Sequence, residues 1–185
     1  MRPMSRFRAL AGLLIILWMV ELVNFVLDHH LNGFGLVPRQ LSGLPGIALA
    51  PLLHGSFAHL ISNSGGLLAL GGLIAIRGER HFVSTTVAIV VVAGGLLWLF
   101  GRTALHVGAS GLVFGYFGLL LGRAWFQRTA DALLIAAIVI AVYGSLLWGI
   151  LPLQQFVSWD GHLAGLLAGL AVARWRAGDN RPESK

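Results

Sequence analysis

Cysteine is absent from this chain of 185 residues, and charged residues make up only 11% of it. The lack of cysteine excludes disulfide bonds, thiolate metal sites and a cysteine nucleophile. Soluble domains contain about 25% charged residues, so this chain has too few charges to cover a globular surface in water. Hydrophobic residues make up 57% of the sequence, and its mean hydropathy is +0.82. These values indicate a membrane protein surrounded largely by the lipid bilayer.

The net charge of +6 is at first sight that of a nucleic-acid-binding protein. The basic residues, however, separate apolar segments and do not form one basic stripe with aromatic residues between them. This distribution is the one that the positive-inside rule predicts for membrane proteins. We therefore expect no nucleic-acid partner.

Six apolar segments occupy residues 9–28, 56–76, 82–100, 109–122, 132–150 and 161–175. At about 20 residues per membrane helix, the chain has room for six or seven spans and no separate soluble domain. The pattern predicts an all-α polytopic membrane protein with a tail over 1–8, a six-helix membrane domain over 9–175 and a tail over 176–185. The first segment has no small-residue cleavage site at its end, so we interpret it as a retained signal anchor.

The basic residues also predict an orientation. All but two of the 13 fall on one side of the six predicted spans, and the exceptions are Arg39 and Arg102. The positive-inside rule then makes both termini cytoplasmic. The connections at 29–55, 101–108 and 151–160 face outward, and the first of them is long enough to be a functional loop.

Three polar groups lie near the outward ends of spans two, four and six, where ionisable side chains are costly. The first is in LLHGSFAHLISNSGG, where His59 and Asn63 are four residues apart and share a helix face. His54 lies near the start of the same helix. A single histidine in such a place more often joins helices by hydrogen bonds than takes part in chemistry, but three polar residues together weaken that alternative.

The second group centres on Ser110 in HVGASGLVFG, and the third on His162 in WDGHLAGLLAGL. Small residues on membrane helices let neighbouring backbones approach closely. A packing surface without chemistry would explain either stretch alone. Packing between them would also bring Ser110 and His162 within hydrogen-bond reach. The glycines expected at this contact are Gly111, Gly115, Gly161, Gly165 and Gly169.

A serine, a histidine that takes its proton and further N–H donors are the groups that acyl transfer needs. The side chains of His59 and Asn63, with the backbone N–H of Ser110, are candidates for stabilising an oxyanion. Asp160 is the acid nearest to His162 in sequence, but residues two apart on a helix do not face each other. We therefore expect a serine–histidine dyad without an acid, in which packing orients His162.

The ordered set of three motifs resembles the rhomboid family of intramembrane serine proteases. The motifs are H-x4-H-x3-N from His54 to Asn63, G-x-S-G at 108–111 and H-x-x-G-x-x-x-G at 162–169. The resemblance covers essentially the whole chain and is to the minimal six-span bacterial form. It implies a rhomboid-like bundle in a bacterial inner membrane, with the active site toward the outer face. The implied substrates are transmembrane segments of membrane proteins, cut near their outward ends without a cofactor.

The resemblance also implies the roles of individual residues. Ser110 would be the nucleophile, and His162 would be the general base and then the general acid. His59 and Asn63 would form the oxyanion hole. His54 and Gly108 would support it.

The resemblance has further implications for the loops and for the stacking on His162. The 151–160 connection would cap the site, with Phe156 and Trp159 as apolar plugs. Many members carry a tyrosine four residues after the serine, and here that position is Phe114, whose ring can still stack on His162. A Trp-Arg pair found in the first loop of several members is absent here.

Other polar residues fall outside these motifs. Asp28, His29 and His30 are adjacent in sequence, and adjacent side chains converge poorly on one metal, so we expect no metal site. Glu21 lies inside span one, where we hypothesise a bonding partner in the first loop or on another helix. We interpret His106 as a loop residue.

Two other functions are compatible with parts of the pattern. An inactive relative that binds membrane clients would be expected to lack the serine or the histidine, and this chain has both. A small proton-coupled transporter could use His54, His59 and His162 as a relay. That function predicts inverted repeats or broken helices in both halves, and no convincing internal repeat is evident.

Overall fold

The computed structural model describes residues 3–153 and 157–179. One helix corresponds to each predicted apolar segment, and a short additional helix lies in the first loop. The fifth segment is α-helical only as far as Tyr143 and continues as a 3-10 helix over Gly144–Ile150. The α-helices are α1 (Arg8–Val26), α2 (Gly46–Leu49), α3 (Phe57–Ala75), α4 (Glu79–Phe100), α5 (Ser110–Gln127), α6 (Ala130–Tyr143) and α7 (Trp159–Asp179).

Four helical segments are both long and apolar enough to cross a membrane. They are Ser5–Val26, Phe57–Ala75, Glu79–Phe100 and Ala130–Ile150. Much of their surface consists of exposed Leu, Ile and Val side chains, which is expected of helices in contact with lipid. The protein is therefore an integral membrane protein with an all-α fold. The long helices α5 and α7 are not among these four segments, so the count of six spans stays a prediction.

Helix α5 forms the centre of the bundle. It packs against α3, α4, α6 and α7, and most of its residues from Leu112 to Ala124 are buried. Its surroundings are mainly other helices, so it needs a less apolar surface than a helix that faces lipid. This position places the first residue of α5, Ser110, among the surrounding helices.

Glycines set the distance between α5 and α7. A Cβ added at Gly165 would collide with the carbonyl oxygen of Gly111, and one added at Gly169 would collide with that of Gly115. These four glycines are spaced four residues apart on each helix, so the contact is repeated along one face. The two backbones touch here because neither helix carries a side chain at the contact.

The first loop is fixed to the loop before α5 by backbone hydrogen bonds. Leu36 and His106 form an antiparallel bridge, with N–H to O distances of 3.0 and 2.9 Å. The N–H of Gly108 donates to the carbonyl of Ala50 over 2.9 Å. The first loop therefore lies beside the start of α5 and supports it.

A buried polar network joins α1 to the first loop. Glu21 is fully buried, and its carboxylate lies 3.3 Å from the ring of His29. The amide nitrogen of Asn24 donates to Asn32 over 3.0 Å and to the backbone carbonyl of His54 over 3.2 Å. These contacts confirm that Glu21 has a partner in the first loop, and they extend the network to the backbone beside α3.

Candidate active site

Ser110 and His162 are in hydrogen-bond contact. Ser110 is the first residue of α5, and His162 lies in the first turn of α7. The Oγ atom of Ser110 and the Nε2 atom of His162 are 2.9 Å apart. The close glycine contact between α5 and α7 brings the two side chains together, because it allows the starts of both helices to meet.

The other ring nitrogen of His162 is held by a backbone carbonyl. Its Nδ1 atom lies 2.8 Å from the carbonyl oxygen of Gly149, in the 3-10 helix after α6. A carbonyl only accepts hydrogen bonds, so Nδ1 carries the proton and Nε2 accepts the hydroxyl proton of Ser110. This is the tautomer that a general base for Ser110 requires.

The ring of Phe114 stacks on the ring of His162. Their centroids are 4.2 Å apart and their planes differ by 8°. Phe114 is one helical turn after Ser110 and is buried. The imidazole is thus fixed at three places: by Ser110 at Nε2, by Gly149 at Nδ1 and by Phe114 on one face.

His59 and Asn63 lie across the site from His162, on the first two turns of α3. Asn63 is buried, and its amide nitrogen lies 3.0 Å from Nε2 of His54. The ring of His59 lies edge-on to that of His54, with centroids 5.0 Å apart. Within the described residues, the ring nitrogens of His59 make no hydrogen bond, although the side chain borders the cavity described below.

His54 lies in the loop before α3, behind the other polar residues. It is fully buried, and its Nε2 atom accepts from Asn63 and, over 3.4 Å, from the N–H of Ala109. Burial lowers the pKa of His54 to about 4, with a further contribution from nearby His59 and a small opposing effect of the Leu52 backbone. A neutral ring is therefore expected at pH 7, as an acceptor requires.

Gly108 has a backbone conformation that other residues rarely adopt. Its φ is +115°, which is a region open mainly to glycine. A Cβ at this position would lie 2.5 Å from Cε1 of His59. The glycine therefore allows the chain to turn into α5 directly against His59.

An open cavity of about 960 Å³ connects these side chains. Both members of the Ser110–His162 pair line it, as do His59, Asn63 and Phe114. A cavity of this size can admit an extended peptide segment or several water molecules. Among the described residues, no three His, Asp or Glu side chains are arranged to hold a metal ion.

The sequence matches a known protein family over most of its length. The Rhomboid domain model matches residues 42–177. The chain belongs to the rhomboid family. Members of this family are generally intramembrane serine proteases, and the matched range contains all the side chains of the candidate site.

Relatives of this rhomboid come from bacteria and plants. An uncharacterized protein of Mycobacterium tuberculosis is 40% identical over 168 residues, covering 85% of this chain and 70% of that protein. An uncharacterized protein of Mycobacterium leprae is 35% identical over 167 residues, covering 85% of this chain and 66% of that protein. RHOMBOID-like protein 4 of Arabidopsis thaliana is 33% identical over 129 residues, covering 65% of this chain and 32% of the plant protein.

Asp160 of this rhomboid is directed away from the dyad. Its carboxylate accepts from the backbone N–H of Arg102 over 2.9 Å and from that of Gly161 over 3.1 Å. Its other neighbours are the side chains of Arg102 and His106, at 3.6 and 3.8 Å. The hydroxyl of Ser158 also donates to the carboxylate, over 3.3 Å, and lies 2.7 Å from Nδ1 of His106. The acid therefore holds the loop before α5 against the start of α7.

Two parts of the rhomboid site are not apparent from the sequence. The carbonyl of Gly149 has no sequence signal, because every residue carries a backbone carbonyl. The Arg102–Asp160 ion pair is only weakly indicated by the sequence, in that Arg102 is the single arginine of the loop before α5. Of the two predicted plugs, Trp159 is half-buried at the start of α7 and does not line the cavity, and Phe156 lies outside the described residues.

Proposed function

We propose that this rhomboid is an active intramembrane serine endopeptidase with Ser110 as nucleophile and His162 as base. The 2.9 Å contact between Oγ and Nε2 carries the proposal, because it joins a nucleophile to a base in the required tautomer. A serine hydroxyl is a poor nucleophile near pH 7 without such a base. Among the alternatives, an inactive client-binding relative has no need for a base held in this way.

The reaction follows from the positions of these protons. As Oγ of Ser110 attacks the scissile carbonyl carbon, the hydroxyl proton moves to Nε2 of His162. The C–N bond then breaks, and Nε2 returns the proton to the leaving amine. A water molecule next attacks the acyl-enzyme ester and gives its proton to Nε2. Release of the carboxyl product returns this proton to Oγ.

The imidazolium formed in the first step has its charge stabilised by two neighbours. Its Nδ1–H continues to donate to Gly149 over 2.8 Å, and the bond becomes stronger when the ring is charged. The stacked ring of Phe114 presents its π face to the cation. Both contacts exist before the reaction, so little rearrangement is needed.

The oxyanion of the tetrahedral intermediate is assigned to donors on the opposite side of the site. An amide NH₂ carries two protons, so Asn63 has one left after its contact with His54. The ring of His59 and the backbone N–H of Ser110 are the other donors in this proposal. The Ser110 N–H lies at the start of α5, where the helix dipole adds positive potential.

Charge distribution supports an outward-facing site. Ser110, His59 and His162 all lie near the N-terminal ends of their helices, at one end of the bundle. Basic residues such as Arg77 and Arg123 lie at the other end, which the positive-inside rule assigns to the cytoplasm. We propose cytoplasmic termini, a bacterial inner-membrane location, and substrates cut near the outward end of a transmembrane segment.

Cleavage of a single-span reporter by the purified full chain in liposomes tests this function. Ser110→Ala and His162→Ala should each abolish cleavage and fluorophosphonate labelling. Ser62→Ala is a matched control, because Ser62 lines the same cavity and has no proposed role. Undiminished cleavage by purified Ser110→Ala would reject the mechanism. Reporter binding without cleavage by the wild type would favour the client-binding alternative, and proton flux without hydrolysis would favour a transporter.

A further inference from the structure

A second polar cavity lies at the end of the bundle opposite the dyad. Its volume is about 310 Å³, and Arg123 near the end of α5 lines it. Ser110 and Arg123 are 13 positions apart on α5, which corresponds to about 20 Å along the helix. The cavity is thus separate from the candidate active site.

Basic side chains from four parts of the chain converge on this cavity. Arg77 comes from the turn between α3 and α4, His81 from α4, Arg123 from α5 and Arg176 from α7. Arginines that only mark the cytoplasmic side, or that offset helix dipoles at C-terminal ends, have no need to face one another. Their convergence on one polar cavity requires another explanation.

Two of the basic side chains are held in place by polar neighbours. The guanidinium of Arg176 donates to Nδ1 of His81 over 3.1 Å and to the hydroxyl of Ser84 over 2.7 Å. Because Nδ1 of His81 accepts in this contact, its remaining proton is on Nε2. The α4–α7 side of the cavity therefore presents fixed N–H donors.

On the side of the cavity formed by α5, little negative charge balances the arginines. The side chain of Arg123 is 8% exposed, and its ion pair with Asp131 has a length of 3.5 Å and a carboxylate that is 67% exposed. Such a pair contributes little, because water screens it. The side chain of Arg77 forms no ion pair or hydrogen bond with any part of the chain that the structure describes. The guanidinium groups of Arg77 and Arg123 thus border the cavity, and of the two only Arg123 has a carboxylate partner among the described residues, which is weakly held.

We propose that this cavity binds a phosphate-bearing anion through Arg77, Arg123 and Arg176. A guanidinium donates two parallel N–H groups that match the oxygens of phosphate, and an anion here would offset the burial of Arg123. The volume admits a phosphate group with part of its substituent. The phosphate group belongs either to the headgroup of an anionic lipid or to a soluble phosphate compound. Basic residues clustered at a membrane surface attract anionic lipids.

Thermal unfolding of the purified full chain in a neutral detergent tests the proposal. The probes are sodium phosphate against sodium chloride at equal ionic strength, and phosphatidylglycerol against phosphatidylcholine in mixed micelles. At a probe concentration about fourfold above Kd, the Tm should rise by about 2–4 °C. Arg77→Gln should at least halve this shift, and the double variant with Arg123→Gln should abolish it.

Arg80→Gln is the matched control, because Arg80 is exposed on the first turn of α4 and does not line the cavity. It should keep the full shift, and so should Ser110→Ala, since binding does not depend on the proposed protease activity. A shift with phosphatidylglycerol alone identifies a lipid headgroup, one with phosphate alone a soluble ligand, and one with both the phosphate group itself. The proposal is overturned if neither probe raises the Tm, or if Arg77→Gln and Arg80→Gln respond equally. If the double variant does not fold, the Tm shift of the single variant Arg77→Gln decides the test, because Arg77 is exposed and its replacement should leave the fold intact.

Discussion

The carbonyl oxygen of Gly149 accepts a hydrogen bond from Nδ1 of His162 over 2.8 Å, on the side of the ring away from Ser110. In a serine protease with a third, acidic residue, a carboxylate occupies this place and selects the tautomer of the base. Here a neutral carbonyl from the 3-10 helix after α6 selects the same tautomer. The orientation of the base therefore depends on the path of the backbone after α6.

Gly149→Ala should lower kcat by at least about tenfold while the protein still folds. The added Cβ would lie 2.9 Å from Cζ of Phe114 and 3.2 Å from Nδ1 of His162, so it would displace the carbonyl or the stacked rings. A displacement of about 1 Å at a reacting group is enough for a loss of this size. Reporter cleavage in detergent, with separate kcat and KM, measures it.

Gly144→Ala is the control for that variant. Gly144 begins the same 3-10 helix, and a Cβ there would have its nearest neighbour, a methyl group of Ile140, at 3.8 Å. This is an ordinary contact, and activity should be unchanged. Equal kcat values for the two variants would show that the position of the Gly149 carbonyl is irrelevant to the base.

Phe114→Leu should reduce kcat by between about twofold and tenfold. The change removes the ring that stacks on His162 at 4.2 Å, and aromatic pairs contribute about 0.5–1.5 kcal/mol beyond burial. Phe117→Leu is the matched control, because Phe117 is equally buried on α5 without touching His162. Both variants should lower the Tm. If kcat of the folded enzyme falls equally in both, the stacking has no specific role.

The helical fold could be predicted from the sequence because the apolar segments are long. Predicted segments such as 56–76 and 82–100 agree with α3 and α4 to within three residues at each end. The fifth segment was less predictable, because its apolar run continues through the 3-10 helix that carries Gly149. Periodicity in an all-apolar run does not reveal where an α-helix tightens.

Only those parts of the candidate site that depend on the type and spacing of side chains could be predicted from the sequence. The glycine spacing on α5 and α7 indicated the close contact beside Ser110 and His162. The contact between His54 and Asn63 could not be read from helical spacing, because His54 precedes α3 and its position depends on the first loop. The direction of the Asp160 side chain depends in the same way on the loop before α5.

Gly165→Ala should destabilise the protein by about 1–3 kcal/mol, the usual effect of adding a methyl group to a packed core. The added Cβ would collide with the backbone of Gly111, and a backbone atom cannot move aside as a side chain can. Thermal unfolding in detergent measures the change. Gly72→Ala on α3 has nothing within 4 Å of the added Cβ, so it should leave the Tm unchanged or raise it, as alanine favours helix over glycine. Similar losses in both variants would contradict the proposed role of the glycine contact.

Protonation of His54 should make the folded protein less stable in acid. Burial holds its pKa at about 4 in the fold, against 6.5 for the ordinary side chain. As the pH falls below about 6.5, the unfolded chain binds a proton that the folded chain does not, so the free energy of unfolding falls. The loss continues down to about pH 4 and is at most about 3–4 kcal/mol, since each pKa unit corresponds to about 1.4 kcal/mol.

Comparison of wild type with His54→Gln at pH 7.5 and pH 5.0 isolates this effect from the titration of other groups. A glutamine carbonyl can still accept from Asn63 and Ala109 but does not titrate between these values. The decrease in Tm on acidification should therefore be smaller in the variant, by about 4–8 °C for a difference of about 2 kcal/mol. The same decrease in both proteins would mean that His54 is protonated as readily in the folded chain as in the unfolded one. In that case Nε2 would not remain an acceptor for Asn63 in acid.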